Sequence, residues 1–367
     1  MSTKYGIALD LSVYGGSHDS EIGVYIAGLP QGIKIDRDVL AAFLARRAPG
    51  QNEYSTTRQE SDVPIFLSGL AVDGTLTGEP LHAVIQNTDA RHKDYPTKLR
   101  IPRPSHADFA AYQKYKGNID LRGGGIFSGR LTAPLCVAGG ICLQILATRG
   151  IDIAAHIYTV KDIADTPFDP VRVGKHDFDI LRSHSFPTLD EEKGTQMRRL
   201  ILDAKEAGDS VGGIAETAVT GLPVGIGEHM FYGLESRISS IVFSVPAVKG
   251  VEFGDGFASS HLYGSENNDP FRYDESGNVR TSTNHAGGIL GGMSNGMPLL
   301  FRAAVKPTPS IAIEQNSVDL VTHENVKLRI PGRHDPCILP RIIPVMEAVT
   351  AIAILDAILT DKRNSIQ

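Results

Sequence analysis

Gly332-Arg333-His334-Asp335-Pro336-Cys337 runs directly into Ile338-Leu339-Pro340-Arg341-Ile342-Ile343-Pro344-Val345-Met346-Glu347, and the rest of the chain is organised around that junction. A fixed cation, an imidazole and a carboxylate stand on consecutive residues, while Gly332 and Pro336 break regular structure on either side. The three therefore belong to a shaped loop that can hold an anion and move a proton. The plainer alternative is a turn in which Asp335 caps the next segment and Arg333 makes a surface ion pair. Beyond the loop, apolar residues recur at helical spacing from Ile342 to Leu359, which predicts a C-terminal helix over about 342–360 that packs away from the chemistry. Its acids, Glu347 and Asp356, are expected to face solvent or cap neighbours.

The 367 residues are 41% hydrophobic and 21% charged with a net charge of -6. That is a globular profile without the cationic surplus that a polyanion needs, so nucleic acid is not an expected partner. Cys136, Cys142 and Cys337 show neither Cys-x-x-Cys spacing nor an even count, so reduced thiols in a cytoplasm are expected and no structural zinc site. The longest uncharged run, Leu131 to Thr148, carries Pro134, Gly139, Gly140 and Gln144 and reads as a buried helix rather than a membrane span. Met1 to Asp10 lacks a basic head followed by an apolar stretch, so neither secretion nor a membrane is expected.

Several other loops carry chemistry. His18 sits in Gly15-Gly16-Ser17-His18-Asp19 between two strand-like runs, a fair position for a general acid. A helix is predicted from Asp36, its N-cap, to Arg47, with Ala48-Pro49-Gly50 as its stop. It delivers Arg46 and Arg47 in its last turn, where cations suit the helix dipole even without a ligand. A polar excursion over about 87–117 ends in Arg103-Pro104-Ser105-His106-Ala107-Asp108-Phe109, placing His106 just before a helix-like segment. Gly123-Gly124-Gly125 leads through Ser128 and Arg130 into the buried helix, as an anion-binding loop does at a helix N-terminus. Its glycine spacing is not that of a dinucleotide fold.

The polar middle of the chain, Asp152 to Lys205, reads as strands alternating with solvated helices. Its histidines, His156, His176 and His184, lack ligand spacing and read as structural or exposed. A flexible polar segment is expected over about 263–282. Gly292-Met293-Ser294-Asn295-Gly296 matches a nucleophile elbow but has no strand-turn-helix context, so a hydrolase is rejected. Lys306-Pro307-Thr308-Pro309-Ser310 is a basic, hydroxyl-rich turn suited to phosphate. Collected, His18, His106, His334, Asp335, Arg46, Arg47, Arg58, Arg130, Arg333 and Lys306 describe acid–base chemistry on a phosphorylated acid. No metal motif competes.

From about Tyr5 to about Leu359 the chain resembles the chorismate synthase family. The stretches that carry the resemblance are Gly15 to His18, Arg103 to Phe109, Arg122 to Gly125, Asp209 to Gly213, Pro246 to Gly250, Asn284 to Ile289, Gly291 to Gly296, Lys306 to Ser310 and Gly332 to Glu347. The resemblance implies an α+β fold, a single-domain β-α-β sandwich with antiparallel sheets around a helical core, usually assembled as a homotetramer. It implies conversion of 5-enolpyruvylshikimate 3-phosphate to chorismate and phosphate, a 1,4-anti elimination that requires reduced FMN. NADPH enters only as a source of flavin reduction.

By family position, His106 serves the flavin, His18 the departing phosphate, and Asp335 proton removal. Ser128, Pro246, Ala247, Gly291 and Lys306, with Pro307, Thr308, Pro309, Ser310 and Arg333, are implied at the flavin. Ser17, Arg46, Arg47 and Arg130 are implied at the substrate. Two loops depart from the family pattern. Gly-Glu-Ser-His-Gly appears as Gly15-Gly16-Ser17-His18-Asp19, and the residues after the triple glycine are Ile126 and Phe127 where an arginine and a serine are usual. These departures set a second reading beside the first, a non-catalytic paralogue that binds flavin or other anionic ligands.

Overall fold

The C-terminal periodic segment becomes the central helix of the structure, a computed structural model that describes residues 3–50, 52–55, 60, 62–87, 100–330 and 334–361. The helices are α1 (Arg37–Arg47), α2 (Asp108–Tyr115), α3 (Thr132–Ala147), α4 (Lys175–Ser183), α5 (Glu191–Glu206), α6 (Leu234–Val242), α7 (Gly264–Asn267) and α8 (Leu339–Thr360). Strands β1 (Lys4–Tyr5), β2 (Asp10–Gly15), β3 (Glu21–Ala27), β4 (Ile65–Ser68) and β5 (Leu81–Gln86) form an antiparallel sheet ordered β1-β2-β3-β5-β4.

Strands β6 (Asp152–Val160), β7 (Ile163–Ala164), β8 (Gly213–Thr220) and β9 (Val248–Phe253) follow. Next come two hairpins, β10 (Phe271–Tyr273) with β11 (Val279–Thr281) and β12 (Ile289–Leu290) with β13 (Met293–Ser294). Strand β14 (Leu299–Val305) and the hairpin of β15 (Gln315–Asp319) and β16 (Glu324–Leu328) complete the set. The second antiparallel sheet is ordered β7-β6-β8-β14-β9.

The two sheets enclose a helical layer. On β3 the residues Ile22, Val24 and Ile26 alternate inward and are fully buried, facing α3, while Tyr25 points out. Helix α3 packs on α8, and α8 rests on β6 and β8 of the second sheet. The contact between the helices is close enough that a β-carbon on Gly139 would collide with Ala348, so glycine is required there. The outer face of the second sheet is covered in turn by Phe168, Phe178 and Leu181, packed on Ala154 and Ala218. Asp36 caps α1 as expected, accepting from the amides of Asp38 and Val39.

Being surrounded, α8 buries the two acids that were expected to face solvent or cap neighbours. The Glu347 carboxylate accepts from both terminal nitrogens of Arg46, at 2.6 and 2.9 Å, and from the Ala155 amide at 3.2 Å. Asp356 Oδ1 accepts from three successive amides, those of Ile7, Ala8 and Leu9, each at 2.9 Å, and Oδ2 accepts from Arg237 Nη1 at 2.8 Å. A buried carboxylate is tolerated only when its lone pairs are satisfied in this way.

His156 is likewise structural, and it is fully buried. Its Nδ1 lies 2.9 Å from Asp165 Oδ2 and its Nε2 2.9 Å from Glu216 Oε2. Burial alone would lower the pKa of the imidazole, but its hydrogen bonds and charge interactions with Asp165 and Glu216 overcome that and raise it. A folded pKa above the unfolded value contributes stability that is fully present below about pH 6.5 and is lost as pH rises through the folded value. Urea midpoints measured from about pH 6 to about pH 9 should therefore fall with rising pH, and His156→Gln should be less stable but lack that slope. A slope of equal size in both proteins would show that His156 is not its source.

Candidate active site

A cavity of about 580 Å³ opens where several segments meet. They are the last turn of α1, residues 103–107, the turn from Gly123 to Thr132, residues 243–249 with 306–310, and the start of α8. The glycine turn explains why three glycines are needed. Gly123, Gly124 and Gly125 have φ of 57°, 101° and 53°, the left-handed region that side chains disfavour.

Two imidazoles lie against this turn. A β-carbon on Gly123 would overlap the His18 ring, and one on Gly124 would stand 3.6 Å from His106 Nε2. The Ser17 hydroxyl donates to the Arg122 carbonyl at 2.9 Å, so its oxygen is left to accept from His18 Nδ1 at 3.1 Å. That assigns the Nδ1 proton and makes Nε2 the end of His18 that takes or gives a proton. His106 Nδ1 lies 2.7 Å from Asp108 Oδ1. The Asp19 carboxylate lies against Gly16, 3.3 Å from where a β-carbon on that glycine would stand.

Cations line the cavity, and most are matched by carboxylates. Arg47 Nε donates to Asp62 Oδ2 at 2.6 Å, and Arg130 Nη1 pairs with the other oxygen of Asp62. Arg130 Nε also reaches Asn87 Oδ1 at 3.0 Å and Glu60 at 3.2 Å, while its buried Nη2 makes no hydrogen bond among the described residues. Arg341 Nη1 donates to Asp335 Oδ2 at 2.6 Å, and its Nε donates to the Arg47 carbonyl at 3.1 Å.

Lys249 and Lys306 differ from these arginines, having no carboxylate partner among the described residues. The Lys306 amide donates to the Ala247 carbonyl at 3.0 Å, which brings the two lysine segments together. Burial, and then the charge of Lys249, lower the Lys306 pKa. The buried Thr308 hydroxyl on the same cavity is without a hydrogen-bond partner among the described residues. Two unmatched ammonium groups with an unsatisfied hydroxyl suit the anionic end of a ligand, so the residues fit a phosphorylated cofactor.

The family model for chorismate synthase matches residues 9–359. The chain belongs to the chorismate synthase family. It is 44% identical to a chorismate synthase of Lancefieldella parvula, over 98% of this chain and 96% of that relative. It is 39% identical to one of Methanothermobacter thermautotrophicus, over 94% of this chain and 91% of that one. A crystal structure of chorismate synthase superposes with a TM-score of 0.75 at 24% identity, over 96% of this chain and 92% of that one. That likeness carries the fold, the β-α-β sandwich expected from the sequence.

Measured against the family positions, the cavity gathers His106, Asp335, Ser128, Pro246, Ala247, Lys306, Thr308, Pro309, Ser310, Arg47 and Arg130. Ser17 and His18 stand behind the glycine turn, and Pro307 joins the lining residues Lys306 and Thr308. The structure does not bring Arg46 or Gly291 to this cavity. Glu347 holds the Arg46 guanidinium, and Gly291 sits in the turn of the β12–β13 hairpin. Arg58 and Arg333 lie outside the described residues. Sequence reasoning missed Lys249, Asp62, Glu60 and Arg341 as members of the site. Lys249 carried a signal, two residues after Ala247 in a glycine-terminated run, whereas nothing in the spacing linked Asp62 to Arg47.

Proposed function

We propose that this enzyme converts 5-enolpyruvylshikimate 3-phosphate to chorismate and phosphate by a 1,4-anti elimination that depends on reduced FMN. The observation that carries the reading is the pair of imidazoles set against one triple-glycine turn at a cation-lined cavity. Lys249, Lys306 and the Thr308 hydroxyl hold the phosphate end of the cofactor, with Ser128, Pro246, Ala247, Pro309 and Ser310 as walls. Reduced flavin, when bound, supplies electron density to a poor allylic leaving group and recovers it as hydrogen leaves. His18 gives its Nε2 proton to the departing phosphate. Asp335, held by Arg341, takes up the proton that is lost from the substrate. Arg130 and Arg47 stabilise substrate anions from fixed positions.

NADPH enters only as a reductant of the flavin. The working form is a cytoplasmic homotetramer of single-domain subunits. It is supported by aromatic side chains left open to solvent, Phe231 (81% exposed), Phe257 (80%), Tyr263 (78%) and Tyr273 (75%), which further copies would cover. Light scattering giving a monomer mass at working concentration would remove that assembly.

Lys306→Ala should weaken FMN binding about tenfold or more, because a charge-assisted hydrogen bond contributes about 1.5–3 kcal/mol. Quenching of flavin fluorescence measures this, and an unchanged affinity would place the cofactor's phosphate elsewhere. A second reading, a scaffold without turnover, is favoured by Asp62 and Glu60 already occupying Arg47 and Arg130. Anaerobic incubation with the enolpyruvyl substrate, with and without chemically reduced FMN, separates the two. Chorismate formed only with reduced FMN supports the synthase, and none formed with FMN bound supports the scaffold.

A further inference from the structure

We propose that Asp108 is the positioning residue for His106: its carboxylate fixes the proton on Nδ1 and turns Nε2 toward the glycine turn and the cavity. The part of this that concerns the reaction rests on the function proposed above.

The ordinary role for an acid in the first turn of a helix is to satisfy the orphaned amides of that helix or to meet its dipole. Asp108 occupies such a place at the start of α2, with the helix's own N-cap, Ala107, offering no side chain to do so. Yet its carboxylate is turned back toward the preceding loop. Oδ2 accepts from the Arg103 amide at 3.0 Å and from Arg103 Nε at 2.7 Å. Oδ1 accepts from Arg103 Nη2 at 2.8 Å and faces His106 Nδ1 at 2.7 Å. The carboxylate is 1% exposed. Between its two partners Ser105 is held at φ 56°, a left-handed conformation that residues with a side chain rarely adopt. The loop is thus bent around this carboxylate at the edge of the cavity.

The network also decides which ring nitrogen carries the proton. Arg103 Nη2 lies 3.2 Å from His106 Nδ1, but a guanidinium only donates, whereas Asp108 only accepts and is closer. Burial would push the Asp108 carboxyl up, and its bonds to Arg103 and His106 overcome this, holding it well below the usual carboxylate range. An ionised carboxylate at Nδ1 therefore outcompetes the guanidinium and keeps a proton there. With the carboxylate neutralised, Arg103 becomes the better-matched neighbour of Nδ1, which favours the opposite tautomer.

The test is Asp108→Asn in the full-length protein. Nitrogen-15 spectra of histidine-labelled protein, with the His106 signals assigned by their loss in His106→Ala, should show Nδ1 protonated in the parent and the Nε2–H tautomer in the variant. Turnover should fall about a hundredfold or more, as when a triad carboxylate is neutralised, with KM and FMN affinity within about threefold. An unchanged tautomer, or a changed one with turnover intact, overturns the proposal. If Asp108→Asn does not fold, Asp108→Glu decides. It should keep the Nδ1 proton and at least a tenth of the activity, and a folded Glu variant with the opposite tautomer overturns the proposal. Should the parent fail to turn over the enolpyruvyl substrate, the proposed function falls, and the spectra still decide whether Asp108 sets the His106 tautomer.

Discussion

His106→Ala should lower turnover about a hundredfold to ten-thousandfold while leaving FMN affinity within about threefold of the parent, the range that removing a positioned acid–base group gives. The ring is held at the cavity edge by Asp108 and presents Nε2 to the glycine turn, so its removal deletes an acid–base group without touching Lys306, Lys249 or Thr308. The Arg103–Asp108 pair remains to hold the loop. Single-turnover measurements under anaerobic conditions, paired with a flavin titration, separate the two quantities. Turnover within tenfold of the parent, or a loss of flavin affinity that accounts for the whole defect, would remove His106 from the chemistry.

The largest expected effect on stability belongs to Asp356→Ala, at about 3–5 kcal/mol, the usual consequence of breaking a buried ion pair from one side. The substitution strands the buried Arg237 guanidinium and orphans the amides of Ile7, Ala8 and Leu9 together. These bonds fasten the segment before β2 to the central helix, so their loss should loosen that edge first. Arg237→Met should cost less, since three amides still satisfy one oxygen of Asp356. Denaturant unfolding monitored by circular dichroism provides the comparison. A loss below about 1 kcal/mol for Asp356→Ala would mean that water enters and replaces the carboxylate.

Those two residues also show where sequence reading stops. Helix α1 was legible because Asp36, the spacing of Leu40 and Leu44, and Ala48-Pro49-Gly50 are local signals that the structure obeys. Helix α8 was legible as a helix, beginning three residues earlier than predicted because Pro340 is accommodated in its first turn. Its acids were read as facing solvent or capping neighbours; both are buried, and of the two it is Asp356 that caps a neighbouring segment, at the amides of Ile7, Ala8 and Leu9. The partners that allow Glu347 and Asp356 to be buried, Arg46, Arg237 and the amides after Gly6, are distant in sequence. The order of strands in the two sheets was not legible in the sequence, because periodicity does not say which strands pair.

The site divides in the same way. His18, His106, Asp335 and Lys306 stood out because glycine and proline punctuate the loops that carry them. The carboxylates that neutralise or orient those loops, Asp62, Glu60 and Asp108, gave no such signal as partners, because tertiary approach alone brings Asp62 and Glu60 to Arg130. Arg46 is instructive: next to Arg47 in sequence but pointing about 100° away round the helix, it is spent on Glu347 while Arg47 meets Asp62.

The most direct measurement is the stoichiometry of an anaerobic reaction with 5-enolpyruvylshikimate 3-phosphate and reduced FMN, following phosphate, chorismate and the flavin spectrum together. The expected result is one phosphate and one chorismate per substrate consumed, none without reduced FMN, and a flavin still reduced at the end. Flavin oxidised in proportion to product, or phosphate released without flavin, would contradict a redox-neutral elimination at this cavity.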